Sequence, residues 1–297
     1  MSGILWLASY PKSGNTWLRA FLHNLFRNSN EPFDINRMSE LTAGDSQAHW
    51  YGRLDPRPPA ALDAKDLARL RPRVHALIAE SAPDTVMVKT HNALVEVDGV
   101  SMITQSLTAG AIYVVRNPLD VVVSYAHHLG QPPDNIITLM ETRGFQSPAT
   151  VDQVPEHHSD WSTHVESWTA RSHPQLHVVR YEDMSRRPGP TFRAISALLG
   201  LKPPRERLER AMRHSSFRSL RAQEDRAGFI ERTPSQDRFF RSGKVGGWRE
   251  VLDDAQVHRV VERHRAQMER FGYLPSGYQG TRERDANEHN GGLEACQ

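Results

Sequence analysis

The stretch Ser9-Tyr10-Pro11-Lys12-Ser13-Gly14-Asn15-Thr16-Trp17 decides the reading of this chain. Ahead of it, residues 4–8 form a short apolar run that Pro11 brings to an end. Behind it, Trp17, Leu18, Phe21, Leu22, Leu25 and Phe26 recur at three- and four-residue spacing. This is the pattern of a strand, a tight loop and an amphipathic helix. A small residue, a lysine and two hydroxyls entering a helix N-terminus offer backbone N–H groups, an ammonium and the positive end of the helix dipole to one anion. A phosphate fits that description. The nucleoside-triphosphatase form G-x-x-x-x-G-K-[ST] does not occur in the sequence, which argues against a standard ATP or GTP loop. A strand, loop and helix with one lysine is also an ordinary structural turn, so the segment needs support from the rest of the chain.

Outward from this point, residues 85–91, 111–116 and 176–181 are three further short apolar runs that end on polar residues, as buried parallel strands do. Asn117 and Pro118 fit the cap and first position of a helix running through Val121, Val122, Ser124 and Tyr125. Further helices are expected over about 66–78, 161–172, 190–199, 204–214 and 254–271. The alternating order predicts a three-layer α/β fold with a central, mostly parallel sheet flanked by helices. Ligands of such sheets gather beyond the carboxyl ends of the strands, where Ser9, Lys89, His91, Arg116 and Tyr181 fall. Three long segments of weak periodicity, 29–83, 130–160 and 222–245, interrupt the core. With no internal repeat, residues 1–278 are expected to form a single domain and 279–297 an unfolded tail.

Composition narrows the function classes. The 297 residues carry 37 Lys and Arg against 35 Asp and Glu, a formal charge of +2, which gives no footprint for nucleic acid. Five of the 37 cations are lysines and 32 are arginines. A lysine is therefore conspicuous where a compact ammonium suits a point contact with an anionic group, as at Lys12 and Lys89. The lone Cys296 excludes an intrachain disulfide and a cysteine metal cluster. The apolar runs are too short for a membrane helix and the N-terminus lacks the features of a signal peptide, so a cytoplasmic protein without membrane insertion is expected.

The segment 9–17 resembles the 5′-phosphosulfate loop of sulfotransferases that use 3′-phosphoadenosine 5′-phosphosulfate (PAPS). Three further motifs follow in that family's order. Tyr113-Val114-Val115-Arg116-Asn117-Pro118-Leu119-Asp120-Val121-Val122-Val123-Ser124-Tyr125 is similar to its 3′-phosphate strand and helix. Val88-Lys89-Thr90-His91 is similar to its catalytic Lys-x-His, and Phe240-Arg241-Ser242-Gly243-Lys244-Val245-Gly246-Gly247-Trp248 to its C-terminal loop. Tyr181-Glu182-Asp183-Met184 matches the strand-end segment between them, and the resemblance runs over about residues 4–273.

That resemblance implies a P-loop-related sulfotransferase fold and a donor, PAPS, that leaves as 3′-phosphoadenosine 5′-phosphate (PAP), with no metal required. It implies His91 as general base, Lys12 on the bridging and 5′-phosphate oxygens, and Lys89 on the sulfuryl oxygens. Ser13, Gly14, Asn15 and Thr16 would hold the 5′-phosphate. Arg116, Ser124, Arg241, Ser242 and Gly243 would surround the 3′-phosphate. Trp17 and Phe217 would face the adenine, with Tyr181 at its edge and Phe240 nearby. The acceptor is expected to be a small alcohol or phenol, in a pocket drawn from Phe33, Trp50, Tyr51, His127 and Pro133.

Ordinary structural uses compete with each role. Trp17 also lies on the apolar helix face, Phe217 follows a helix end, and His91 is one of 15 histidines. His127, His128, His157 and His158 are expected at the surface or lining a pocket rather than on a metal, and Glu182 and Asp183 as caps. The chain departs from the family pattern with Asn15 for Thr, Asn92-Ala93 for Leu-Pro, Ser242 for a basic residue and Gly247 for Asp. The family's dimerisation pattern is not evident near residues 249–258, which leaves the oligomeric state open. A PAP-binding regulatory protein without turnover and a P-loop-related kinase remain as other readings.

Overall fold

The computed structural model describes residues 3–278; the expected tail and Cys296 lie outside the described residues. The chain runs through β1 (Ile4–Ser9), α1 (Asn15–Arg27), β2 (Thr42–Gly44), α2 (Ala48–Gly52), α3 (Ala64–Ala79), β3 (Val86–Thr90) and a small hairpin of β4 (Glu96–Val97) and β5 (Val100–Ser101). It continues through β6 (Thr108–Val115), α4 (Pro118–Leu129), α5 (Pro133–Glu141), α6 (Trp161–Thr169), β7 (Leu176–Arg180), α7 (Tyr181–Arg186), α8 (Pro188–Leu198), α9 (Arg205–His214), α10 (Phe217–Ala227) and α11 (Asp254–Arg270). Five strands pair in parallel in the order β2-β3-β1-β6-β7.

Every residue of β1 is buried, as a strand covered on both faces requires. Its side chains alternate between two apolar layers. Leu5 and Leu7 pack with Leu18, Phe21 and Leu22 of α1 and with Phe192 and Ile195 of α8. Ile4, Trp6 and Ala8 face the opposite layer, with Val74 of α3, Val122 of α4, Val165 of α6 and Val261 of α11. The predicted three-layer α/β architecture is thus the observed one. After β1 the chain builds β2 and β3 on one side and then crosses to β6 on the other. The carboxyl end of β1 therefore opens into a crevice at the point where the sheet's winding reverses.

Besides the short α2 (Ala48–Gly52) within segment 29–83, three helices lie where the sequence shows weak periodicity or a strand end. α5 begins at Pro133 within segment 130–160, α7 starts directly at Tyr181, and α10 starts at Phe217 with Ser216 as its cap. α10 buries Leu220, Gln223 and Glu224, so its inward face is mostly polar and carries little apolar signal.

Candidate functional site

The loop leaving β1 is held in an uncommon backbone shape. Lys12 has φ 64° and Gly14 has φ 109°, both in the left-handed region. A Cβ on Gly14 would also come within 2.6 Å of the Tyr181 ring, so only glycine fits here. α1 then begins with no side-chain cap and no acidic residue in its first turn. Its leading N–H groups and dipole are left facing the crevice. Ser13 is fully buried, and its hydroxyl has no hydrogen-bond partner among the described residues. These features fit a phosphate group, which supplies acceptors to unmatched donors.

Arg116, at the end of β6, donates to the carbonyls of Lys12 (3.0 Å) and Lys244 (3.3 Å), and its guanidinium lies 4.2 Å from the centroid of the Tyr181 ring. It joins the β1 loop to the C-terminal loop while Nε stays without a partner among the described residues. The C-terminal loop is fixed from two more directions. The Tyr181 hydroxyl donates to the Gly243 carbonyl at 3.0 Å. The buried Asp120 carboxylate accepts from the N–H of Gly246 (2.7 Å) and of Trp248 (3.1 Å). Thus the loop is tethered by a carboxylate of α4 on either side of Gly247, the position where the family pattern has Asp. Gly243, at φ 62°, passes so close to Phe217 that a Cβ would lie 2.5 Å from the ring. The ammonium of Lys244 turns outward to Glu250, 3.6 Å away.

At the end of β3, the neighbouring strand, His91 Nδ1 donates to the Ser9 carbonyl at 2.7 Å. That bond fixes the tautomer and leaves the Nε2 lone pair available to a substrate proton. Burial, and then the Lys89 ammonium, hold His91 well below the usual histidine range, so the ring is neutral at neutral pH. Lys12 is pushed down to about 7, chiefly by burial, with Arg116 and Lys89 adding to the effect and Glu231 opposing it. Its ammonium rests 4.0 Å from the centroid of Phe239.

These elements surround one cavity of about 1320 Å³. Lys12, Gly14, Asn15, Thr16, Trp17, Lys89, His91, Arg116, Ser124, Tyr181, Phe217, Phe240, Arg241, Ser242 and Gly243 all line it, and Ser13 lies behind the wall. Of the expected acceptor residues, His127 lines it and Phe33, Trp50, Tyr51 and Pro133 do not. Tyr51 is buried against Arg71, Phe33 stacks on His23, and Pro133 opens α5 outside the cavity wall. That side is instead formed by Tyr125, Phe145, Gln153, Glu156 and His158.

Several residues were missed in the sequence because their partners are distant. Asp120 lies in the first turn of α4, where an acid reads as a dipole partner, yet it contacts a loop 126 residues away. The buried Asp45 carboxylate accepts from Thr90 (2.9 Å) and Asn92 (2.8 Å) and braces the end of β3. Asn92 also accepts from the His157 N–H at 2.7 Å, so this departure from the family pattern ties the end of β3 to the loop before α6. Glu231 pairs with Arg19 at 2.7 Å and accepts from Thr16 at 3.4 Å. As expected, Glu182 serves a structural end, accepting from the Asn117 N–H (3.0 Å) and the Tyr273 hydroxyl (2.8 Å).

Comparison with known proteins agrees with this geometry. The family model described as Sulfotransferase domain matches residues 3–272. The chain is 24% identical over 283 residues to sulfotransferase 1A1 of Canis lupus familiaris, covering 90% of this chain and 84% of that protein. It is 25% identical over 273 residues to flavonol 3-sulfotransferase of Flaveria bidentis, covering 86% and 78%. Among solved structures, retinol dehydratase in complex with androsterone and PAP shares the fold at TM-score 0.63 and 20% identity, covering 89% of this chain and 80% of that one. Mouse sulfotransferase SULT7A1 complexed with PAP does so at 0.59 and 20%, covering 90% and 84%. The ordered motifs, the crevice they line and the match over nearly the whole chain have one conclusion: this protein belongs to the sulfotransferase family.

Proposed function

We propose that this enzyme moves the sulfuryl group of PAPS to a hydroxyl of a small-molecule acceptor, with His91 as general base. One observation carries the reading: a single cavity has the β1 loop and Arg116 at one end and, beside Lys89, a His91 whose Nδ1 is already committed to the Ser9 carbonyl. The PAP-bound structural neighbours and the flavonol-acting relative support a donor and an acceptor of these kinds.

Residues 12–16 hold the 5′-phosphate, with Lys12 and the α1 N-terminus countering charge on the leaving oxygen. Arg116, Ser124, Arg241, Ser242 and the Gly243 backbone enclose the 3′-phosphate, and Trp17 and Phe217 face the adenine. Lys89 meets the sulfuryl oxygens. The acceptor oxygen attacks sulfur in line and its proton passes to His91 Nε2. The bond from sulfur to the bridging oxygen breaks, and its electron pair leaves on the phosphate of PAP.

Incubating the protein with PAPS and a panel of phenols, alcohols and amino sugars, and following PAP release, tests this reading. Acceptor-dependent release is expected. Tight PAP binding with no turnover on any acceptor would favour a regulatory, non-catalytic role.

A further inference from the structure

The acceptor wall holds a buried carboxylate that the scheme above does not use. Glu156 is 6% exposed and lines the cavity beside His91. Its position is fixed through its backbone: Ser147 N donates to the Glu156 carbonyl at 2.9 Å, and the Glu156 N–H returns a bond to Ser147 Oγ at 2.9 Å. One carboxylate oxygen lies 3.6 Å from Lys89 Nζ and the other 3.4 Å from His158 Nε2. The His158 ring meets His91 edge-on, with centroids 6.3 Å apart, and its Nδ1 is buried without a partner among the described residues. Lys89, Glu156, His158 and His91 thus form one compact group at the acceptor end.

A buried carboxylate is costly to keep charged unless cations or donors face it. Burial alone would raise the pKa of Glu156, yet Lys89, His158 and His91 together hold it well below the usual carboxylate range. The contact to Lys89 is long for a hydrogen bond, so the ammonium keeps N–H donors free for a second anionic partner.

We propose that Glu156 is a positioning residue of the transfer site: its carboxylate holds the Lys89 ammonium toward the sulfuryl position and supplies the counter-charge for the imidazolium that His91 becomes. The inference rests on the sulfotransferase reading above. Glu156 takes no proton. The acceptor proton goes to His91 Nε2 as the new S–O bond forms, the bridging S–O bond breaks and PAP leaves with the electron pair. At that moment a cation appears in a buried place already next to Lys89, and a fixed negative charge lowers the cost.

The charged and titratable groups facing His91 are Lys89 from its own strand, Glu156 and His158 from the loop before α6, and His164 of α6, whose Nε2 meets the His91 carbonyl at 3.1 Å. From β1 come the Ser9 carbonyl and hydroxyl. Removing Glu156 leaves Lys89 as the dominant neighbour, so His91 should bind its proton more weakly.

The test uses the wild-type chain, Glu156→Gln and Glu156→Asp. Steady-state kinetics with PAPS are combined with an NMR titration of His91 under saturating PAP, its signal assigned by its loss in His91→Asn. Glu156→Gln should lower kcat by about 10-fold or more, leave the Kd for PAP within about twofold, and move both the His91 titration and the acid limb of kcat to lower pH. Glu156→Asp should recover part of each change. PAP binding also reports that the variants are folded. An unmoved His91 titration, or a loss of PAP affinity as large as the loss of kcat, would overturn the inference. A shifted titration in a chain that never turns over PAPS would instead refute the sulfotransferase reading and leave the link between Glu156 and His91 standing.

Discussion

The two halves of the cavity are built in opposite ways. The half proposed for the donor is tied together by main-chain contacts: Arg116 grips the carbonyls of Lys12 and Lys244, and Asp120 and Tyr181 grip the C-terminal loop. The half proposed for the acceptor is walled by the loop between α5 and α6, whose cavity-lining residues include Asp152 and Glu156 but neither a lysine nor an arginine, Arg143 of the same loop lying outside the cavity wall.

If the halves are separable, lesions in one should spare the other. The largest effect is expected from His91→Ala: turnover should fall about 100-fold or more while PAP affinity persists, as for loss of a general base. Equal loss of PAP binding would show that the halves are not independent. Lys12→Ala should reduce PAP affinity and turnover together, each by about 10-fold or more, because in the proposed scheme it removes a charged contact to the leaving phosphate. Calorimetry and PAP release read the two effects.

Asp120→Asn sharpens the comparison, since it touches no substrate in the proposed scheme. By loosening the loop at Gly246 and Trp248 it should weaken PAP binding by roughly 10-fold, consistent with bonds to a charged group. The His91 titration should not move. A smaller effect concerns pH. Lys12 loses its proton near pH 7 in the free protein, and bound phosphates favour the charged form. PAP affinity should therefore be full below about 7 and fall by up to about 10-fold per pH unit above it, with proton uptake on binding detected in buffers of different ionisation enthalpy. PH-independent affinity would remove Lys12 from the phosphate site.

The convergence of the residues proposed for the donor on one cavity was legible because each part is local. The segment 9–17 carries its own loop chemistry, and Arg116 and Ser124 sit on one strand end and the helix that follows. The sheet was legible for a similar reason: a strand buried on both faces is apolar throughout, as β1 is. The edge strand β2 has three residues, Thr-Ala-Gly, with nothing to mark it, and α10 turns polar Gln223 and Glu224 inward. The acceptor wall was hidden because it arises from tertiary convergence. Glu156 meets Lys89 only when Asn92 and Asp45 brace the two segments against each other, and no spacing encodes that meeting. Aromatic content misdirected the expectation toward Trp50 and Tyr51, whose rings serve packing against Arg53 and Arg71.

A crystal structure of the chain grown with PAP tests the central claim most directly. The account predicts the 5′-phosphate on the loop of residues 12–16, the 3′-phosphate within hydrogen-bond reach of Arg116 and Ser124, and the adenine between Trp17 and Phe217. A nucleotide bound elsewhere, or one whose 3′-phosphate points away from Arg116, would contradict it.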